Sequence, residues 1–220
     1  MSNYVTEKQI LISALEELQT KEICLNKNEG SESKHEKYVG DFLFDKLKAE
    51  GYIYCENNIT KIQEKLKKNT KLFIHHPNGS KNSPDFRLLD GSKIVIDIEA
   101  KSSKSTNKPV WNGGRVKENT IYIFSRNYSK TSREYKKINR TTQTTFFLHS
   151  DTKLQILYDV VDKYDLAKSE SVAGQVNVEL KASGSKHRYY HRSMYNDGNN
   201  YFDKNRNTRE QNVIKYISSL

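Results

Sequence analysis

The chain has only two cysteines in 220 residues, Cys24 and Cys55. Two thiols cannot build a disulfide framework, nor a four-ligand zinc site unaided. No apolar run approaches the roughly 18 residues of a membrane-crossing helix, and no basic-then-apolar segment follows Met1. A reducing, cytoplasmic setting and no membrane partner are therefore expected. Apolar residues are scarce too, at 35% of the chain with a mean hydropathy of −0.87. A polar chain with fourteen tyrosines has a modest core and a large working surface. It has no internal repeat and no convincing linker, so its length predicts one domain over residues 1–220.

Charge is unevenly distributed. The net charge is +10, yet residues 1–60 carry seven lysines against eleven acids. Residues 101–140 carry eleven Lys or Arg against two acids. A basic surface so concentrated suits a polyanion whose phosphates need neutralising, although lysine-rich solubilising surfaces are common.

That basic stretch begins where a predicted hairpin ends. Asp90-Gly91 is a two-residue turn signal, since Gly and Asp tolerate the positive φ of primed turns. In the second arm Ile94, Ile96, Ile98 and Ala100 point one way, and Val95, Asp97, Glu99 and Lys101 the other. The apolar side needs a layer of helices. Asp85 opens the first arm while Glu99 and Lys101 close the second, so a hairpin brings all three to one open end. Two carboxylates there repel each other unless a divalent cation lies between them, and Mg²⁺ prefers carboxylate and water oxygens. Lys101, on the Glu99 face, is placed to hold or deprotonate a water. Acids, lysine and water together suit phosphodiester hydrolysis.

Pro84-Asp85 followed by Glu99-Ala100-Lys101, with thirteen residues between the acids, resembles the PD-(D/E)xK nuclease superfamily and, within it, type II restriction endonucleases. The loop Trp111-Asn112-Gly113-Gly114 and the strand Ile121-Tyr122-Ile123-Phe124 are similar to what often succeeds the lysine there. The resemblance spans roughly residues 33–150, the expected catalytic core. It implies an α/β (α+β) fold with a central mixed sheet flanked by helices, a restriction-endonuclease-like core. It further implies Mg²⁺-dependent hydrolysis of double-stranded DNA at a specific short sequence, leaving a 5′ phosphate and a 3′ hydroxyl, in a bacterial or archaeal cell. Asp85 and Glu99, with the Ala100 carbonyl, would hold the metal, and Lys101 would activate the water. Such enzymes often draw a further acid from a preceding helix, which here implicates Glu36. The same Glu36 also completes a Ser33-x-x-Glu36 capping box. Reading a palindrome implies a homodimer, for which the acidic first helix is the expected interface. The alternatives are another nuclease of this superfamily, for repair or junction resolution, and a nucleic-acid-binding protein without catalysis.

Helical spacing predicts a first helix over residues 6–22, with Ile10, Leu11, Ala14, Leu15 and Leu18 inward. A second, over 33–50, uses Val39, Phe42, Leu43 and Leu47 and stops at Gly51. Short strands are expected over 52–55 and 71–76, a basic helix over 58–68, and a turn at Pro77-Asn78-Gly79-Ser80. Residues 102–118 read as a basic loop. Strands follow over 119–126, 144–150 and 175–181, with a basic helix or loop over 129–140 and a helix over 151–164. Residues 182–212 interleave basic, aromatic and amide side chains with little to bury, and are the expected DNA-recognition elaboration. Residues 209–220 close with a short helix using Val213, Ile214 and Ile217.

Ser102, Ser103, Lys104, Lys108, Arg115 and Lys117 are the expected phosphate contacts beside Lys101. Arg188, Arg192, Asn196 and Asn199 are the expected base readers, because Arg pairs with guanine edges and Asn with adenine edges. Trp111 is expected to pack. An acid-x-Lys tripeptide alone means little, since five occur. Asp165, Glu179 and Lys181 match the spacing, but without the leading proline or the hairpin turn. His75-His76 could suggest a histidine-activated HNH nuclease. The strand expected after it is not that module's helix, so the pair reads as solvated.

Overall fold

The computed structural model describes residues 7–23, 34–56, 70–79, 83–91, 93–103, 108–109, 111, 117, 119–130, 139–152, 188–190, 194–196 and 199–220. Its centre is a six-stranded mixed sheet in chain order: β1 (Ile53–Glu56), β2 (Lys71–His75), β3 (Phe86–Asp90), β4 (Lys93–Ser103), β5 (Thr120–Lys130) and β6 (Asn139–Leu148). β1–β2 and β4–β5 pair in parallel, and β2–β3, β3–β4 and β5–β6 antiparallel. Among the described residues three helices accompany it: α1 (Glu7–Leu18), α2 (Lys34–Leu47) and α3 (Arg206–Ser219). The fold is α+β, with the expected mixed sheet and flanking helices. A separate two-stranded ribbon pairs β7 (Arg188–Tyr190) with β8 (Met194–Asn196).

One sheet face carries Phe73, Phe86, Leu88, Ile96, Ile98, Ile121, Ile123 and Phe146 into the core. Against them α1 sets Leu11, Ala14, Leu15 and Leu18, and α2 sets Val39, Leu43 and Leu47. Those positions recur three and four apart, which is why the sequence makes helices here. Gly40 lets α2 approach the sheet closely, since a Cβ there would lie 2.5 Å from the Phe86 ring. Gly51, at φ 86°, then turns the chain out of the helix. α3 runs along β6: Val213 and Ile217 join the core, while Glu210 accepts from Thr145 Oγ1 at 2.8 Å. The opposite face bears an aromatic layer, with Trp111 edge-on to Tyr122, Tyr122 stacked on Phe147, and Phe147 stacked on Tyr201 at 3.9 Å. Trp111 is packed, as expected.

Several boundaries differ from the sequence reading. Asp90 pairs with Lys93, so Asp90 still belongs to the strand and the chain leaves it at Gly91, one residue later than expected, with φ 57°. A register shift between Leu88 and Leu89 breaks the alternation of β4, and Val95 packs against the core. β4 continues to Ser103, so Ser102 and Ser103 lie in a strand and not in a loop. The expected basic helix or loop over 129–140 is strand at both ends, because β5 runs to Lys130 and β6 starts at Asn139. Cross-strand pairing sustains a polar ribbon whose sequence has no apolar period. Residues 199–212 bury more than expected, since Tyr201 and Glu210 are buried and α3 begins at Arg206. The stretches 58–68, 153–164 and 175–181, including Asp165, Glu179 and Lys181, lie outside the described residues.

Candidate active site

The hairpin brings its charged residues to the open end of the sheet. His76 N donates to the Asp85 carbonyl at 2.7 Å, extending the β2–β3 pairing past His75 to the start of the proposed site. The Ser83 carbonyl just upstream accepts from Asn78 Nδ2 at 2.8 Å and from Lys117 Nζ at 2.5 Å. Asp85 thus enters from a tethered segment. Its Oδ2 accepts from the Ala100 amide at 2.8 Å, which joins the two arms at their tips.

Glu99 is 4% exposed. One carboxylate oxygen, Oε1, accepts from Lys101 Nζ. The other, Oε2, is buried without a partner. A buried charged acceptor left unmatched costs on the order of 1–3 kcal/mol or more, so the pocket is short of positive charge. Asp85 reports the same shortage. Burial, and then the neighbouring Glu99 and Glu36 carboxylates, push its carboxyl up to about 8, against the opposing pull of Lys101 and the Ala100 amide. Asp85, Glu99, Lys101 and Glu36 are therefore one electrostatic cluster. Asp85 and Glu99 offer carboxylate oxygens here, the kind of donor that Mg²⁺ takes.

Glu36 reaches this cluster from the first turn of α2. Its Oε1 meets His75 Nε2 at 3.1 Å and His76 Nε2 at 2.5 Å. Burial alone would raise its carboxyl. The His75 bond and the His76 charge and bond outweigh that and hold it below the usual range. The catalytic acid and the capping residue were competing expectations, and the side chain turns to the histidine pair. His75 is 8% exposed and its ring stacks on His76 at 3.8 Å. His75 is therefore not solvated, and His76 is half-buried. Two signals could have found the pair: it ends the strand that precedes Pro84, and antiparallel pairing sets His75 opposite Phe86, beside Asp85.

His35, also missed, lies under the cluster. Its Nε2 bonds Ser125 Oγ at 2.8 Å, and Ser125 Oγ bonds Thr144 Oγ1 at 2.8 Å. Burial, reinforced by Lys101 and partly opposed by Glu36, pushes the His35 ring down to about 4. It stands as a neutral support beneath a charged site.

The remaining expected residues are dispersed. Ser102 is exposed and Ser103 and Lys108 are half-buried. Lys117, expected on phosphate, has its Nζ on the Ser83 carbonyl. Arg188 and Asn196 face each other in the β7–β8 ribbon. Asn199 Nδ2 points to the Asp151 carbonyl at 3.5 Å, within the chain. Lys104, Arg115 and Arg192 lie outside the described residues. No helix among the described residues is long and apolar enough to cross a membrane. Two acids of α1 serve internal ties, Glu7 to Tyr52 and Lys71, and Glu17 to Lys46. No protein-family model, curated protein or solved structure matches this chain.

Proposed function

We propose that the chain is a Mg²⁺-dependent nuclease of the PD-(D/E)xK kind, cutting double-stranded DNA at a specific short sequence as type II restriction endonucleases do. The observation that carries this reading is the meeting of Asp85, Glu99 and Lys101 at one sheet end, with Glu99 Oε2 buried and unmatched. The strand order adds support, with β2, β3 and β4 antiparallel and β5 returning parallel to β4. So does the basic segment that begins at Lys101.

Asp85 and Glu99 would hold Mg²⁺, which when bound supplies charge to offset that building on the scissile phosphate. Asp85 must give up its proton to do so, and the Ala100 amide favours its charged form. Glu99 Oε1 fixes the Lys101 ammonium within the site. The Lys101 ammonium would orient the attacking water and offset the negative charge that builds on it, while the water's proton passes to solvent. In-line displacement then breaks the bond to the 3′ oxygen, leaving a 3′ hydroxyl and a 5′ phosphate. Glu36 adds a third negative group beside Asp85, and the buried floor of β4 and β5 limits water around the cluster. Ser102, which follows Lys101 on β4, and Lys108 would serve as backbone contacts, and a homodimer would present two such sites to a palindrome.

The test is digestion of a DNA of known sequence with Mg²⁺, followed by fragment sizing. Discrete bands that vanish with chelator, and that fall about 100- to 10,000-fold in rate in Lys101→Ala, support the reading. Full cleavage by Lys101→Ala defeats the mechanism. Structure-dependent nicking points to a junction or repair enzyme. Salt-sensitive binding with no strand breaks at any divalent metal points to a binding protein.

A further inference from the structure

We propose that Glu36, His75 and His76 form a second metal site, one that takes a Zn²⁺-class transition-metal ion and not Mg²⁺. Their ligating atoms all lie within 4.8 Å of one another. Small side-chain adjustments would close that spread around an ion with bonds of about 2.0–2.2 Å. Two imidazoles and one carboxylate are the donors that Zn²⁺ and its first-row neighbours prefer, whereas Mg²⁺ seeks oxygen. Three protein ligands leave a fourth position open.

The backbone is shaped for this convergence. Consecutive residues of a strand project to opposite faces, so His75 and His76 would ordinarily diverge. Instead His76 adopts φ 50°, in the left-handed region that a side-chain-bearing residue rarely takes. That turn lays its ring on His75 at 3.8 Å and sends both Nε2 atoms to the same Glu36 oxygen. The Gly79 amide holds the turn by donating to the His76 carbonyl at 2.9 Å.

The surroundings supply what an imidazole ligand needs from its far side. His75 Nδ1 lies 3.1 Å from Tyr54 Oη, so when an ion takes the Nε2 lone pair the ring proton has an acceptor at Nδ1. Phe86 stacks on His75 at 5.1 Å and fixes the ring plane. His76 and Glu36 retain 20% and 15% side-chain exposure, which leaves an ion a way in. Nothing in this arrangement depends on the nuclease reading, since the donors would bind the ion whichever reaction Asp85, Glu99 and Lys101 carry out.

The experiment is titration of the full chain with Zn²⁺ alone by calorimetry, with Co²⁺ absorption as the spectroscopic reporter of imidazole ligation. One ion per chain is expected, undisturbed by excess Mg²⁺ and retained in Asp85→Asn. His75→Ala and His76→Gly should each lower affinity by more than the roughly 10- to 100-fold that loss of a supporting residue costs, and Tyr54→Phe by a factor inside that range. Glycine is chosen at position 76 because it accepts the left-handed turn and preserves the fold. Folding of each variant is checked by circular dichroism. If His75→Ala does not fold, an imidazole-type Co²⁺ spectrum lost in His76→Gly carries the proposal. It is overturned if the wild type binds no Zn²⁺, if His76→Gly binds it unchanged, or if binding disappears in Asp85→Asn.

Discussion

Asp85 takes the Ala100 amide on one carboxylate oxygen at 2.8 Å, and through that bond the start of β3 is fixed to the end of β4. The same carboxyl is pushed up to about 8 by burial and by Glu99 and Glu36. In the unfolded chain it titrates near 3.8. Between those values the folded state holds one more proton than the unfolded state, so this group's contribution to stability falls as pH rises. Without metal, the melting temperature is therefore expected to drop toward pH 8. Mg²⁺ should restore it most at the high end, releasing close to one proton per ion bound below pH 8. Calorimetry in two buffers of different ionisation enthalpy measures that proton. Asp85→Asn should abolish both the slope and the proton release, and a wild-type protein with neither would remove the charge shortage argued for this site.

His35 slopes the other way. Its ring is pushed down to about 4, mainly by burial, from an ordinary 6.5. From pH 6.5 to 4 the unfolded state takes a proton that the folded state refuses, so stability is lost on acidification, on the order of 3 kcal/mol at most. Over that window the Asp85 effect opposes it, and the wild-type profile should look nearly flat. The His35 limb is expected to emerge in Asp85→Asn, as a stability that falls steadily below pH 6.5. Adding His35→Gln to that background should flatten it again, measured by urea unfolding across pH.

The parts of this fold legible in the sequence are those whose information is local. α1 and α2 carry buried residues three and four apart, and Gly51 marks where α2 ends. The hairpin declared itself through Gly91, although the register slipped by one because Asp90 is the last paired residue and not the first of the turn. β5 and β6 pair far beyond their apolar centres, from Lys130 opposite Asn139 to Ile121 opposite Leu148. A ribbon of Ser, Asn, Thr and Arg has no period to read. Asp85, Glu99 and Lys101 were visible because strand order alone brings them together. The place of His75 and His76 beside them was legible too, but their convergence was not, because strand periodicity sends neighbours apart and only the left-handed turn at His76 reunites them. The burial of Tyr201 depends on Phe147, which is distant in sequence, so its stretch reads as polar surface.

Tyr201 separates a structural role from a DNA-reading role for the C-terminal region. It is 0% exposed, stacks on Phe147 at 3.9 Å and lies under the Arg209 guanidinium, 5.4 Å from its ring centre. Tyr201→Ala is expected to cost about 3–5 kcal/mol, as large aromatic truncations in cores do. The fragment pattern of any DNA cleavage should stay the same at temperatures where the variant remains folded. Chemical denaturation supplies the first number and digestion of one DNA by both proteins supplies the second. A changed sequence preference with unchanged stability would restore the recognition role to this residue.

Gly40 tests how tightly α2 must approach for the cluster to form. A Cβ there would lie 2.5 and 2.7 Å from the Cε1 and Cζ atoms of Phe86. That ring cannot swing away freely, because it is buried, stacked on His75 and tilted against Phe73 at 5.5 Å. Gly40→Ala must therefore lift α2 or tilt Phe86, and overpacking of this kind costs about 1–3 kcal/mol. Since Phe86 follows Asp85 and supports His75, the displacement passes directly into the site. Mg²⁺-dependent cleavage should weaken along with stability. Gly51→Ala is the companion variant: nothing lies within 4 Å of its added carbon, but φ is 86°. It should cost on the order of 1 kcal/mol through backbone strain alone, far from the cluster, and leave cleavage per folded molecule unchanged. Thermal melts and initial cleavage rates of the two variants, taken side by side, distinguish loss of packing at the site from loss of stability in general. Equal effects of both on cleavage would show that the close contact between α2 and Phe86 has no part in setting the site.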